Sequence, residues 1–140
     1  MYRRIAAAAI GASSIARGVS YVGPISPSGA PPQLVFMDEL VPLSWYAVGW
    51  IVTGVLALAA AAWPHPRLLG LAFGAGIFFN LLWAFSFAAA QLFLGVGRSY
   101  VSATSYLTIA ILIFCVAALS DRLKIPPPPR LGGGPCRDLK

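Results

Sequence analysis

The chain has 140 residues, of which 59% are hydrophobic and only 10% carry a charge. Ordinary soluble domains have about 25% charged residues, so this composition excludes a water-soluble domain as the main body of the protein. The net charge of +6 does not indicate nucleic-acid binding. The basic residues lie at the ends of apolar stretches and do not form a patch with interleaved aromatic side chains. The expected partner is the lipid bilayer, and no nucleic-acid partner is expected.

Four apolar stretches follow one another along the chain, at residues 5–23, 44–63, 68–95 and 100–120. A helix needs about 20 apolar residues to cross a bilayer. The pattern therefore predicts an all-α, polytopic membrane protein, an antiparallel bundle of four transmembrane helices within residues 1–125. A Pro/Gly-rich basic tail at residues 126–140 follows this domain.

The first stretch is the weakest, because its alanines offer little apolar surface and it contains Arg17. A signal peptide is the alternative, with basic residues Arg3 and Arg4 and a small-x-small cleavage site at residues 14–16. The apolar pattern resumes after Arg17 with Val19 and Val22, which favours a retained transmembrane helix.

A proline-rich loop at residues 24–43 joins the first two stretches. Its second part, residues 34–41 (LVFMDELV), predicts two turns of helix. Four apolar side chains would share one face of these turns, namely Leu34, Met37, Leu40 and Val41.

The distribution of basic residues predicts the orientation. If the N-terminus is cytoplasmic, only Arg98 lies in an outer loop, and the short segments on the inner side hold eight basic residues: Arg3, Arg4, Arg67, Arg122, Lys124, Arg130, Arg137 and Lys140. Such a bias is typical of cytoplasmic loops. We therefore expect a multi-pass protein of the cytoplasmic (inner) membrane with both termini in the cytoplasm.

A candidate polar cluster lies in the predicted outer half of the bundle. An arginine within a membrane costs about 2.5–3.5 kcal/mol on insertion scales and is a functional-site hypothesis by default. Arg17 could instead extend to the headgroups or pair with the loop carboxylates Asp38 or Glu39. A further alternative is that Arg17 and the polar residues near it line a hydrated passage. The cluster comprises Arg17, Gln91, Thr104, Ser105 and Thr108.

Close helix packing is predicted in the third stretch. Gly70 and Gly74 form a small-xxx-small motif, which lets another helix approach closely. Packing within the same bundle is favoured over dimerisation. Asn80 and Trp83 lie near the middle of this stretch. A side-chain amide within the membrane needs a hydrogen-bond partner, so we expect the amides of Asn80 and of Gln91, nearer the outer end, to face protein and not lipid.

Enzymatic function is not indicated, and we expect no catalytic, metal-binding or cofactor-binding residues. The two cysteines, Cys115 and Cys136, lie in different predicted compartments and form no metal or redox motif. No carboxylate falls within a predicted span, so proton-coupled transport by the usual route lacks its carrier. His65 is the only histidine and lies in a predicted turn.

The layout resembles a known group of proteins. An alanine-rich first span and a proline-rich loop precede VPLSWYAVGW at residues 41–50, and LLWAF at residues 81–85 and a basic tail follow. This order resembles small four-span membrane proteins of actinobacterial phages and their hosts, some of which are holin-like. The resemblance implies a non-enzymatic holin or lysis-accessory protein that forms homo-oligomers. The alternatives are a structural or regulatory subunit that binds a membrane partner and a small-solute transporter or channel.

Overall fold

The computed structural model describes residues 2–22, 31–63 and 65–122, and these residues form helices and no strand. The predicted tail at residues 126–140 lies outside them. The helices are α1 (Tyr2–Ser20), a 3-10 turn (Pro32–Leu34), α2 (Val35–Leu40), α3 (Leu43–Ala62), α4 (Pro66–Leu94) and α5 (Ser99–Arg122). The prediction of an all-helical chain is confirmed, and the predicted bounds of the four long helices agree with these to within one turn.

Three helices are long and apolar enough to cross a membrane: α3, α4 and residues Ser99–Leu119 of α5. They have the composition of a membrane protein. Helix α1 has a similar length of 19 residues but is not one of the three. Its apolar positions are mostly alanines, which contribute little transfer energy, and Arg3, Arg4 and Arg17 lie among them.

Helices α1 and α3 run antiparallel along a seam of small residues. The buried side of α1 consists of Ala7, Gly11, Ser14 and Gly18, spaced alternately by four and three residues. This is the spacing that keeps one face of a helix against its partner. At one end of the seam, Arg4 Nε donates a hydrogen bond to the carbonyl oxygen of Ala61, 2.7 Å away.

The seam is close enough to require glycine. A Cβ atom added to Gly11 would lie 2.9 Å from the carbonyl oxygen of Gly54, and one added to Gly54 would lie 2.8 Å from that of Gly11. A Cβ atom on Gly18 would lie 2.9 Å from the carbonyl oxygen of Ala47. Because backbone cannot move aside as a side chain can, these three glycines set the distance between the two helices.

Helices α4 and α5 form the second antiparallel pair. Gly95 ends α4 in the left-handed conformation, with φ of 63°, a conformation that glycine adopts without steric cost. The expected end of this helix near Gly95 is confirmed. At the other end, Pro66 occupies the first turn of α4, where its missing N–H costs no helical hydrogen bond.

The short helix α2 covers one end of the bundle, which we call the α2 end. Leu34 and Met37 are buried there, and Ser86 Oγ on α4 donates a hydrogen bond to the carbonyl oxygen of Gln33, 3.0 Å away. The predicted helix is therefore present, but the four apolar side chains that were expected on one face do not all pack against the bundle. Leu40 is 76% exposed, because the chain turns at Val41 to enter α3.

Candidate functional site

The guanidinium of Arg17 is partly buried and lies between several helices. Arg17 is in the last turn of α1, and its Nη1 donates a hydrogen bond to Asn80 Oδ1 at 3.1 Å. Asn80 is 1% exposed, and its Nδ2 donates to the carbonyl oxygen of Gly76 at 2.7 Å. Both ends of the buried amide are therefore satisfied, as its burial requires.

Two aromatic rings complete the surroundings of the guanidinium. The Arg17 Cζ atom lies 5.2 Å from the centroid of the Trp50 ring and 4.9 Å from that of Tyr106. A cation over an aromatic face gains about 0.5–1 kcal/mol at an exposed site and about 2 kcal/mol when desolvated. We call Arg17, Asn80, Trp50 and Tyr106 the arginine cage. It joins α1 to α3, α4 and α5.

A second layer of aromatic side chains supports the arginine cage from the α2 end. Trp83, which is fully buried, packs edge-on against Trp50 at 5.5 Å and against Tyr46 at 5.4 Å between centroids. Its Nε1–H donates a hydrogen bond to the Tyr21 hydroxyl at 3.0 Å. Such edge-to-face pairs contribute about 0.5–1.5 kcal/mol beyond the burial of their area. Trp50, one of the two rings next to Arg17, is therefore packed against a buried tryptophan that is itself held by Tyr46 and Tyr21.

No carboxylate among the described residues forms an ion pair with Arg17. The positive charge is instead met by an amide oxygen and two ring faces. An amide oxygen and ring faces can hold a cation in a low-dielectric region, but they cannot accept its proton. The cage is therefore a fixed, positively charged connection between four helices and has no acid–base pair.

The predicted partners of Arg17 lie elsewhere. Gln91 and Thr104 line one groove between α4 and α5. The Thr104 and Ser105 hydroxyls donate to carbonyl oxygens of their own helix, and both residues are exposed. Thr108 is also exposed. On α5 it is Tyr106, on a different face of the helix, that contacts Arg17. The predicted cluster is thus not assembled around the arginine.

The two loop carboxylates also have other surroundings than expected. Asp38 Oδ1 accepts a hydrogen bond from the backbone N–H of Leu43 at 3.0 Å, which satisfies one of the free donors at the beginning of α3. Glu39 is exposed. Among the described residues neither carboxylate pairs with Arg17, because the guanidinium turns inward to Asn80. Asp38 thus stabilises the start of a helix and does not pin the loop to Arg17.

The glycines of the predicted packing motif face open space. Gly70 and Gly74 are both exposed, and a Cβ atom added to either would meet no atom of the described residues within 4 Å. The expected contact within the bundle is therefore not made by these two residues. The close contact is made by Gly11, Gly18 and Gly54, in a seam that was not predicted from the sequence. The spacing of Ala7, Gly11, Ser14 and Gly18 was the available signal.

The expectation for the Asn80 amide is confirmed, since Asn80 is 1% exposed and both ends of its amide are bonded. Gln91 is half-buried, and its Oε1 atom has no hydrogen-bond partner among the described residues. The roles of Trp50 and Tyr106 were missed, because tryptophan and tyrosine in apolar stretches are also typical of a membrane interface. In the part of the chain that the structure describes, no three His, Cys, Asp or Glu residues group together as metal ligands would.

Comparison of this chain with protein-family models, with curated proteins and with solved structures finds no match. Its function is therefore inferred from its own residues and their arrangement.

Proposed function

We propose that this chain is a small, non-enzymatic integral membrane protein that self-associates in the cytoplasmic membrane, in the manner of a phage holin or lysis-accessory protein. The observation that carries the proposal is the open surface at Gly70 and Gly74, where an added Cβ atom meets nothing within 4 Å. Surfaces of small residues let transmembrane helices approach closely. The described residues of the bundle do not cover this surface, and a second copy would bind there.

We further propose that α1 is the first of four transmembrane helices, with both termini on the cytoplasmic side. Two features support this topology. Helix α1 lies along α3, a candidate span, and its small residues are buried in that contact. Its Arg17 side chain is bonded to Asn80, which lowers the cost of an arginine at membrane depth. The excess of Lys and Arg on one side gives the orientation.

The proposal is tested by inducible expression in a bacterial host with a membrane-potential dye, while culture density is followed. We expect abrupt depolarisation and arrest of growth with the wild-type chain. The double substitution Gly70→Leu and Gly74→Leu should delay or abolish depolarisation, because leucine side chains keep a second helix from approaching closely. The amount of protein in the membrane should stay the same, since both glycines face open space.

Ala12→Leu is the control, because Ala12 is exposed on α1 and gains a leucine side chain on a helix other than α4. Its depolarisation should equal that of the wild type. Continued growth with the wild-type protein intact in the membrane would contradict a holin that acts alone.

A structural or regulatory subunit is the second candidate. It is favoured by the apolar residue Leu40, which is 76% exposed beside the exposed Asp38 and Glu39. A partner could bind this mixed surface at the α2 end. A small-solute transporter or channel is the weaker proposal, because Arg17 packs against Trp50 and Tyr106 and a transport site needs access for its solute.

A further inference from the structure

The positive charge of Arg17 is not neutralised by any carboxylate among the described residues. Asp38 and Glu39 have other surroundings. Asp121 lies in the last turn of α5, whereas the arginine cage contacts the first half of that helix, and Asp138 lies outside the described residues. The end of α1 adds a partial negative charge, which is smaller than the charge of the guanidinium. A charge in a low-dielectric region is costly unless an opposite charge or hydrogen bonds compensate it.

The guanidinium also has N–H donors that it does not use. A guanidinium carries donors on all its nitrogen atoms, and here only Nη1 donates a hydrogen bond, to Asn80. Arg17 is half-buried, and its other nitrogen atoms are not among the buried donors that lack a partner. These nitrogen atoms are therefore accessible, and an ion from the surroundings can reach them.

Further donors without an acceptor belong to the rings that contact the guanidinium. Trp50 is fully buried, and its Nε1–H has no hydrogen-bond partner in the described part of the chain, although buried polar groups usually have one. The Nε1–H of Trp83 donates to the Tyr21 hydroxyl, and the hydroxyls of Tyr21 and Tyr106 bond to each other. A hydroxyl that accepts a hydrogen bond becomes a stronger donor. We therefore assign Tyr21 as the donor of this pair, which leaves the hydroxyl hydrogen of Tyr106 without an acceptor.

We propose that the accessible side of the Arg17 guanidinium, together with the Tyr106 hydroxyl, binds a small monovalent anion such as chloride. Guanidinium N–H groups donate charge-assisted hydrogen bonds to anions, which are stronger than those between neutral groups. The Tyr106 hydroxyl adds a neutral donor from α5. The bound ion would link α1 to α5 and neutralise the charge of the cage. The site belongs to a single copy of the chain and does not depend on self-association.

A small monovalent anion fits these donors better than water or a dianion does. Each water molecule brings hydrogens that need acceptors of their own, and it leaves the charge uncompensated. A dianion would leave a net negative charge at the same place, which is costly in a low-dielectric region. The rings of Trp50 and Tyr106 already lie against the guanidinium, so the remaining space favours a small ion.

The test is the line width of the chloride NMR signal, measured with the full chain in micelles of an uncharged detergent. Chloride that exchanges with a protein site gives a broader signal. We expect the wild type to broaden it in a saturable way, and Arg17→Gln to remove the saturable part. Arg98→Gln is the matched control, because Arg98 is an exposed loop arginine, and it should broaden the signal as the wild type does. At equal ionic strength, bromide should compete with chloride and sulfate should not.

Arg17→Gln also removes the bond to Asn80 and can disturb the fold, so a second variant keeps the arginine. Tyr106→Phe deletes one hydroxyl and keeps the ring. It should weaken chloride binding about fivefold, the usual contribution of one hydrogen bond. Tyr100→Phe is its control, because Tyr100 is exposed on the same helix and loses the same hydroxyl outside the cage.

Three results would overturn the proposal. The first is the absence of saturable broadening by the wild type. The second is an equal effect of the two substitutions within either pair, Arg17→Gln with Arg98→Gln or Tyr106→Phe with Tyr100→Phe. The third is competition by sulfate as strong as that by bromide, since a site with one positive charge should prefer the monovalent ion.

Discussion

The glycines of the α1–α3 seam and those at the beginning of α4 have opposite surroundings. A Cβ atom on Gly54 would lie 2.5 Å from Ile15 Cγ1 and 2.8 Å from a backbone oxygen, whereas one on Gly70 or Gly74 would meet nothing within 4 Å. The spacing of glycines along one face of a helix therefore does not predict whether that face packs against another helix of the same chain. The seam holds α1 against α3, whereas the face at Gly70 and Gly74 is not covered by any of the described residues.

This difference between the two sets of glycines follows from the size of the apolar side chains that α1 and α4 can bury. Helix α1 has few large apolar side chains, so its association with α3 depends on close backbone approach and on the bonds of Arg4 and Arg17. Helix α4 has large side chains on several faces, and it buries Phe73 and Trp83 against the other helices. Its glycines at positions 70 and 74 therefore do not have to contribute to the bundle.

Among the substitutions that test this comparison, Gly54→Ala should change the stability of the fold most. The added methyl group overlaps with the backbone of α1 and should destabilise the fold by about 2 kcal/mol, the usual cost of overpacking. SDS titration in mixed micelles, followed by tryptophan fluorescence, measures this change. Gly76→Ala is the control, since Gly76 is also buried but its added Cβ would lie at 3.4 Å, an acceptable distance, from Ile10 and Ile113. Equal losses of stability would refute the role of close approach.

Arg17→Lys should have a smaller effect, a loss of about 1 kcal/mol. The ammonium keeps the charge but cannot present a planar group to both rings of the cage. The same titration gives the stability, and the change in Trp50 and Trp83 fluorescence reports the cage itself. Arg98→Lys, at an exposed loop residue, should change neither. If Arg17→Lys leaves the stability unchanged, the cage does not hold α1 in place.

The smallest effect, with the opposite sign, is expected for Gly74→Ala. Alanine restricts the unfolded chain and meets no obstacle in the folded one, so this change should stabilise the protein by about 0.5 kcal/mol. The midpoint of the SDS titration should rise slightly. A clear loss of stability would mean that Gly74 is in close contact within the bundle after all.

The helices themselves could be predicted from the sequence because their signals are local. Apolar stretches of about 20 residues predict transmembrane helices, and Gly95 and Pro66 mark the ends of α4. The inward position of Asn80 was also predictable, since an amide in an apolar helix needs a partner.

The surroundings of Arg17 could not be predicted in the same way. The polar residues Gln91, Thr104 and Ser105 were expected near it because polar groups avoid lipid, but hydroxyl groups can bond to their own helix and those of Thr104 and Ser105 do. The actual neighbours, Trp50 and Tyr106, are typical interface residues by composition. Only the rotation of α3 and α5 about their axes turns these rings towards Arg17.

The sequence by itself determined that the described residues are helical and approximately where the long helices begin and end. It predicted four membrane-spanning helices, and three of the described helices are long and apolar enough to cross a membrane. These properties depend on apolar composition and on glycine and proline at single positions, which act within a few residues. The tertiary structure decided which glycines touch, which groups surround Arg17 and which face of α4 remains open. These depend on how the helices are rotated and paired, and contacts between residues such as Arg17 and Asn80, 63 positions apart, exist only after that pairing.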